Sequence, residues 1–286
     1  MRFLVLGASG MAGHTIAIYL KEGGNEVIGF SRRPVAFLDR QVNGDAIDRA
    51  LVREAIEESE PDAVINCIGV LNAFAEADQE GAAWLNGGLP HYLAEVTKAT
   101  YTRVFHMSTD CVFAGNTGPY SEESEPDGES VYDRTKAAGE LCDDKNVTFR
   151  NSIVGPDINP RGIGLLNWFM QQSGFVCGWT RAIWTGLTTL ELAKAMECAA
   201  LEDVHGLVNM VPEGGISKYD LLRLFSKHLR GGVVKVQPDE SIELNKALVR
   251  TNFDSSFRPA SYGTQVAEMA EWIKNHKELY PHYRLG

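Results

Sequence analysis

Apolar positions fall into short blocks along the first half of the chain. Residues 2–6, RFLVL, form a run that stops at Gly7, and from Met11 to about Glu22 apolar positions recur at helical spacing. Glu26 to Phe30 reads as a second strand, Leu51 to about Glu58 as a helix and Ala63-Val64-Ile65 as a buried strand. Gln79 to Lys98 is helical in pattern, Arg103 to Met107 a strand, Val131 to Cys142 a helix and Val147 to Arg150 a strand. Strand and helix therefore alternate. Parallel neighbours need long crossover connections, and strands that are apolar at almost every position need cover on both faces. The pattern predicts an α/β fold with a doubly wound parallel sheet over residues 1–150.

After residue 150 the rhythm breaks. Helical patterns lie near 163–172, 188–201, 217–229 and 264–276, with strand-like runs at Gly206–Val211 and Val233–Val236. Pro156 and Pro160 flank a crossing into a second lobe. Residues 151–286 are expected to form mainly this smaller, discontinuous α/β lobe, with about 185–211 returning to the first domain.

The first turn carries Gly7-Ala8-Ser9-Gly10-Met11-Ala12-Gly13 between a strand and a helix. Glycine permits a tight turn, lets backbone N–H groups approach a pyrophosphate and allows close helix–strand packing, while the helix N-terminus supplies partial positive charge. Gly7, Ser9, Gly10, Met11 and Gly13 are thus candidates to bind a dinucleotide. An acid at the end of the second strand would hydrogen-bond the ribose of NAD. Here the strand ends in Ser31-Arg32-Arg33, which suits a 2′-phosphate, or else is a solvated turn. NADP, as NADPH, is expected ahead of NAD.

Tyr132 and Lys136 form Tyr-x-x-x-Lys inside a helical pattern, and four-residue spacing puts both on one face. A neighbouring lysine is expected to lower the tyrosine pKa, and such a tyrosine can give a proton to a carbonyl oxygen. The fourth strand ends in Ser108-Thr109-Asp110, where an open α/β sheet binds ligands. One hydroxyl should face the site and the other pack or cap, with Thr109 favoured for the former.

These stretches together resemble an extended short-chain dehydrogenase/reductase, and more narrowly the dTDP-4-dehydrorhamnose reductase branch. The matching segments are GASGMAG, PDAVINCIG, MSTDCVFAG, YDRTKAAGE, RNSIVGP and ISKYDLLRLF, spread over nearly the whole chain. The resemblance implies a Rossmann domain with a small nucleotide-sugar lobe and a catalytic trio at Thr109, Tyr132 and Lys136. It also sets Cys67, Ile68 and Gly69 against the adenosine and pyrophosphate. Asp45 is either near adenine or a turn residue. Asn66 is a cofactor neighbour or a loop-fixing side chain, and Asn86 an ordering residue of the catalytic region or a helix-surface residue. Departures are Cys111 where tyrosine is usual, Asp133 where glycine is common, Ile68–Asn72, and 178–184, which has no clear counterpart.

For the substrate side the candidates are Ser108, Asp110, Asn151, Trp184 and Arg250. Arg161, Arg181, Lys246 and Arg250 are each either a cation for a diphosphate or a surface charge. Trp168 is expected in a core, whereas Trp184 is expected in a loop and is preferred to Trp179 for stacking on the ligand.

Composition narrows this further. The 286 residues carry 27 Lys+Arg against 38 Asp+Glu, a formal net charge of -11. Broad nucleic-acid binding needs a positive surface and is not expected. No membrane-spanning run or secretory leader is seen. Five scattered cysteines suggest a reducing cytoplasm, and the histidines have no metal-ligand spacing. The expected function is NADPH-dependent reduction of a nucleotide-linked 4-keto-6-deoxy sugar for surface polysaccharide synthesis, by a possible homodimer. Alternatives are an epimerase or dehydratase of the same superfamily, or a dinucleotide-binding regulatory subunit like that of methionine adenosyltransferase.

Overall fold

A computed structural model describes all residues, Met1–Gly286. The first half runs β1 (Arg2–Leu6), α1 (Met11–Glu22), β2 (Glu26–Ser31), β3 (Arg40–Asn43), α2 (Arg49–Ser59) and β4 (Ala63–Asn66). It continues through α3 (Asn72–Ala77), α4 (Gln79–Ala82), α5 (Leu89–Thr97), β5 (Arg103–Met107), α6 (Val131–Ala138) and β6 (Val147–Arg150). Then come β7 (Ser152–Val154), α7 (Leu165–Met170), β8 (Phe175–Trp184), β9 (Gly186–Thr188), α8 (Thr189–Leu201) and β10 (Gly206–Asn209). The chain closes with β11 (Ile216–Ser217), α9 (Lys218–Leu229), β12 (Lys235–Asn245) and α10 (Tyr262–Asn275).

Seven strands form one sheet in the order β10-β6-β5-β4-β1-β2-β3, every neighbouring pair parallel. Alternation along each strand sends side chains to opposite faces. Phe3, Val5, Ile65, Phe105 and Phe149 pack on one face with Ile16 of α1 and Leu192 and Met196 of α8. Leu4, Leu6, Val64 and Val104 pack on the other with Val52 of α2 and Leu89 and Leu93 of α5. Each face is buried, which is why the central strands read as unbroken apolar runs. β10 sits at one edge of this sheet and α8 packs on α1, so the chain re-enters the first domain after β8. The second lobe has its own core of α7, α9 and α10 side chains, among them Leu166, Phe169, Leu222, Phe225, Val266 and Met269, against Val176 and Trp184 of β8. Its sheet, β11-β8-β12, is small and open on one side.

Two helices of the first half depart from the sequence pattern for reasons of packing. The predicted helix 79–98 contains a π-turn at Ala83–Gly88. Pro90 has no N–H to offer the Asn86 carbonyl four residues earlier, so the regular ladder cannot run through this point. The helix expected to reach Cys142 stops at Ala138. A Cβ at the following Gly139 would lie 2.0 Å from the Asn86 oxygen, so the chain turns away where α6 meets the π-turn. No helix is long and apolar enough to cross a membrane.

Candidate active site

The β1–α1 turn is built for close approach. Gly7 has φ +82° and donates its N–H to the Phe30 carbonyl at 2.8 Å. A Cβ at Gly13 would fall 2.1 Å from the Gly7 carbonyl oxygen, so any side chain there would push α1 off the turn. Gly10 is the N-cap of α1 and provides no side-chain cap. The first-turn N–H groups, flanked by Ser9 and Met11, therefore have no protein acceptor. An uncapped helix start with a cradle that a Cβ would fill fits the pyrophosphate of a dinucleotide.

At the end of β2 the Ser31 hydroxyl donates to the Arg33 carbonyl at 2.6 Å, so it shapes the loop. The Arg33 side chain makes no protein hydrogen bond, and Arg32 reaches only the Asp45 carboxylate at 4.0 Å, with most of its side chain exposed. Asp45 itself accepts the Ile47 N–H at 3.1 Å. Two guanidinium groups are therefore available beside a strand end that has no acid.

Beyond β4, Cys67 donates its N–H to the Leu6 carbonyl at 3.0 Å, and its backbone would lie 3.2 Å from a Cβ on Gly7. The loop Cys67-Ile68-Gly69 thus borders the glycine turn. Asn66 Oδ1 accepts the Ile68 N–H at 3.1 Å, so Asn66 fixes the loop. Asn86 is fully buried, and its amide is spent within the protein. It accepts from Val70 N at 2.8 Å and donates to Val70 O at 2.9 Å and Thr135 Oγ1 at 3.0 Å. The Asn86 side chain thus ties the β4 loop to α6, as an ordering residue of the catalytic region rather than a helix-surface residue or a direct cofactor contact.

Three hydrogen bonds fix the start of α6. Ser130 and Asp133 form a reciprocal capping box, with Asp133 N to Ser130 Oγ at 3.0 Å and Ser130 N to Asp133 Oδ2 at 3.2 Å. Asp133, in the place where the family often has glycine, is thus the capping residue. Glu76 of α3 accepts the Val131 N–H at 2.9 Å. Tyr132 is then held buried against Ala75, Ala82, Val70 and Cys111. Burial pushes its phenol well above the usual tyrosine range, the Cys111, Asp110 and Asp133 charges push the same way, and the Thr109 hydroxyl opposes them. Lys136 is not among the main influences on it. Its Nζ donates to the Met107 carbonyl and lies 3.4 Å from His106 Nε2. The expectation that Lys136 lowers the Tyr132 pKa is therefore corrected, because the two side chains point to different neighbours. Burial lowers the Lys136 ammonium to about 8, against the attraction of Glu140 and Cys67.

Thr109 Oγ1 donates to Asp110 Oδ1 at 3.2 Å and accepts the Cys111 N–H at 3.1 Å, beside the Tyr132 phenol. Ser108 faces elsewhere: its hydroxyl donates to Glu140 Oε1 at 2.6 Å. Glu140 is in turn held by Arg150 through Nε at 2.8 Å and Nη2 at 2.6 Å in a buried pair. Ser108 thus belongs to the packing beneath α6, which removes it from the substrate candidates. Buried Asp110 is raised by desolvation and opposed by the charges of Lys246 and Lys218 and by the Ser152 hydroxyl. Asn151 is buried at the end of β6 and donates to the Ser152 carbonyl at 3.1 Å.

Two further substrate candidates are corrected. Trp184 ends a strand, packs in the lobe core and is tilted against Tyr262 at 5.6 Å. The Arg250 guanidinium donates to the carbonyls of Asn252 (2.6 Å), Phe257 (2.8 Å) and Ser255 (3.0 Å), clamping its own loop. Arg181 pairs with Glu243 on the lobe surface. Trp168, expected in a core, is 41% exposed because Leu166, Phe169 and Met170 take the inner face of α7. Lys246 does approach the site, and Lys218 joins it. Lys218 is the first residue of α9, after the Ser217 N-cap, and its Nζ is 5.8 Å from the half-exposed Trp179 ring. The sequence reasoning passed over Lys218, although it lies inside the ISKYDLLRLF segment. Only the fold brings the Lys218 charge within reach of buried Asp110.

A family model described as the RmlD substrate binding domain matches residues 1–151, more than half of the sequence. The chain belongs to this family. Among curated relatives, the dTDP-4-keto-6-deoxy-D-glucose reductase of Streptomyces niveus is 28% identical over 291 residues, 98% of this chain and 96% of its own. The methionine adenosyltransferase 2 subunit beta of Xenopus laevis is 30% identical over 142 residues, 49% of this chain and 41% of its own. A solved dTDP-4-dehydrorhamnose reductase from Bacillus anthracis, in complex with NADP, superposes with a TM-score of 0.78 at 17% identity, covering 96% of this chain and 99% of that one. A Thermotoga maritima UDP-glucose 4-epimerase gives the same TM-score at the same identity. At such identities the superpositions establish the shared fold, a Rossmann domain with a C-terminal lobe.

Proposed function

We propose that this RmlD-family chain is an NADPH-dependent reductase of a nucleotide-linked 4-keto-6-deoxy sugar. The observation that carries the reading is buried Thr109 beside the Tyr132 phenol, with Lys136 on the same short helix reaching the carboxyl end of β5, in a sheet whose β1 leads to the uncapped start of α1. The full-length similarity to the Streptomyces niveus reductase supports it. When bound, NADPH supplies hydride to the keto carbon. Tyr132, kept protonated by its surroundings, gives its proton to the keto oxygen as negative charge develops there. The Thr109 hydroxyl turns from Asp110 to hydrogen-bond that oxygen. Lys136 would hold the cofactor ribose, and Arg32 and Arg33 would pair with its 2′-phosphate. Lys218 and Lys246 offer the local positive charge that a diphosphate needs on an acidic protein, and Trp179 is available for stacking. All five cysteines are free thiols, in keeping with a reducing cytoplasm.

The test is NADPH oxidation with a panel of dTDP- and UDP-linked 4-keto sugars. Turnover of at least one 4-keto-6-deoxy sugar, with a 6-deoxyhexose product, is expected. Tight NADPH binding with no turnover across the panel would overturn the reading in favour of a regulatory dinucleotide-binding subunit.

A further inference from the structure

His14 lies in α1, is fully buried, and has no part in the reaction described above. Its backbone N–H donates to the Gly10 carbonyl at 3.0 Å, and its ring Nδ1 stands 2.8 Å from the same oxygen. A carbonyl only accepts, so Nδ1 carries a hydrogen. Burial holds the imidazole neutral, lowering its pKa to about 4. Nε2 therefore keeps its lone pair, and the Tyr280 hydroxyl donates to it at 2.8 Å. The Tyr280 oxygen in turn accepts the Trp272 indole N–H at 3.2 Å. Tyr280 lies in the tail that follows α10, and with Trp272 it belongs to the core of the second lobe. One arrangement of hydrogens thus satisfies Trp272, Tyr280 and His14 and ends on Gly10, at the turn between β1 and α1.

The Gly10 carbonyl matters because of the bond that follows it. The Gly10–Met11 peptide is trans, and in a trans peptide the C=O and N–H point in opposite directions. A Gly10 oxygen directed into α1 therefore directs the Met11 N–H out of the helix start, toward the position expected of the pyrophosphate. His14 takes both lone pairs of that oxygen, and turning the peptide would strand two buried donors. Gly10 itself has no side chain to hold the turn. We propose that Tyr280 and His14 are positioning residues for the cofactor: Tyr280 orients the His14 ring, the ring fixes the Gly10–Met11 peptide, and the C-terminal tail thereby completes the dinucleotide site of the first domain. The Thr15 hydroxyl is a poorer director of the ring, because it lies 3.5 Å from Nε2 and also meets Thr189 Oγ1 at 3.2 Å. The proposal rests on the dinucleotide reading of the glycine turn and names what holds that turn in shape.

The experiment combines NADPH titration, followed by cofactor fluorescence, with NMR of the full-length protein carrying isotope-labelled histidine, at neutral pH. The expected His14 ring is neutral with its hydrogen on Nδ1, and the Nδ1–H resonance should move when NADPH binds. Tyr280→Phe removes the donor to Nε2 and keeps the aromatic packing. It should shift the Nδ1–H resonance upfield in the free protein, because the two hydrogen bonds of the ring reinforce one another. It should also raise the NADPH Kd by about 3- to 10-fold, the range of one neutral hydrogen bond. Stability should fall as well, since the Trp272 N–H loses its acceptor, but only the Kd and the resonance bear on the proposal. Tyr262→Phe is the comparison. It deletes a phenol hydroxyl of the same lobe that donates to the Gly214 carbonyl instead, at 3.1 Å, and should leave the Kd unchanged. A wild-type hydrogen on Nε2, an Nδ1–H resonance indifferent to NADPH, an unchanged Kd in folded Tyr280→Phe, or an equal loss in Tyr262→Phe would each overturn the proposal. The wild-type spectra decide even if Tyr280→Phe does not fold. A wild type that binds no NADPH would overturn the cofactor reading and this proposal together, whereas NADPH binding without turnover of any 4-keto sugar would sink the proposed reaction alone.

Discussion

Lys136→Met should make the protein more stable at neutral pH while removing its activity. Burial lowers the lysine from the ordinary 10.5 to about 8. At ~1.4 kcal/mol per pH unit, that depression corresponds to roughly 3 kcal/mol of folding free energy opposed by the buried charge. The sign follows from proton counting. Below pH about 8 both folded and unfolded chains hold the proton, and the full penalty is present. Between about 8 and 10.5 the unfolded chain holds a proton that the folded chain has released, so wild-type stability rises with pH through that window. Methionine has no charge to bury and fills a similar volume, although the hydrogen bond to Met107 O is lost at a cost of about 1 kcal/mol. The net gain at pH 7 should therefore be about 2 kcal/mol, shrinking and then reversing as pH approaches about 10. Urea unfolding of both proteins at the two pH values measures this, and the difference between them cancels groups that titrate identically in each. A methionine variant less stable than wild type at pH 7, or a difference independent of pH, would refute the buried-charge account of Lys136.

Three other outcomes follow from the site. Tyr132→Phe should lower kcat by about 100- to 10,000-fold, as expected for loss of a general acid, with NADPH affinity nearly unchanged, because the ring lies among Ala75, Ala82 and Val70 and only the hydroxyl is removed. Near-normal turnover would sink the Tyr132 assignment. NADPH should bind more tightly than NADH in fluorescence titrations, and Arg32→Ala with Arg33→Ala should weaken NADPH more than NADH; equal wild-type affinities would count against the 2′-phosphate reading. Lys218→Ala and Lys246→Ala should each raise the nucleotide-sugar KM by about 5- to 10-fold, roughly 1 kcal/mol apiece for a partly solvated charge contact, with kcat little changed, as steady-state kinetics would record.

Much of the first domain was legible because its physics is local. The strands at 2–6, 103–107 and 147–150 coincide with the mostly apolar runs, since a strand buried on both faces is apolar at most positions. The glycine turn was legible for a similar reason: Gly13 answers to the Gly7 carbonyl six residues earlier, although Gly7 itself also borders Cys67 and Ile68. Tyr132 and Lys136 could be placed on one helix from their spacing alone. β3 was missed because an edge strand with the sequence RQVN has one apolar residue and owes its existence to pairing with β2. β8 was missed likewise, and of β12 only the start was anticipated, in the run Val233–Val236. Their outward faces carry Cys177, Trp179 and Arg181 on β8 and Lys235 and Gln237 on β12, and only the ladder between them makes strands of such sequences.

The side-chain directions were decided by tertiary structure. Trp184, Arg250 and Ser108 have the chemistry of ligand contacts, yet the lobe core, a loop of carbonyls and the Glu140–Arg150 pair claim them. Lys136 shares a helix face with Tyr132 but reaches down to β5, where Met107 O and His106 wait at the end of a strand thirty residues earlier in the chain. Spacing along one helix fixes which residues can share a face, because that geometry is set by the backbone hydrogen bonds of the helix itself. Which partner a long side chain then takes depends on the desolvation and hydrogen-bonding groups that other elements bring to it, and these exist only once β4, β5 and α6 have packed.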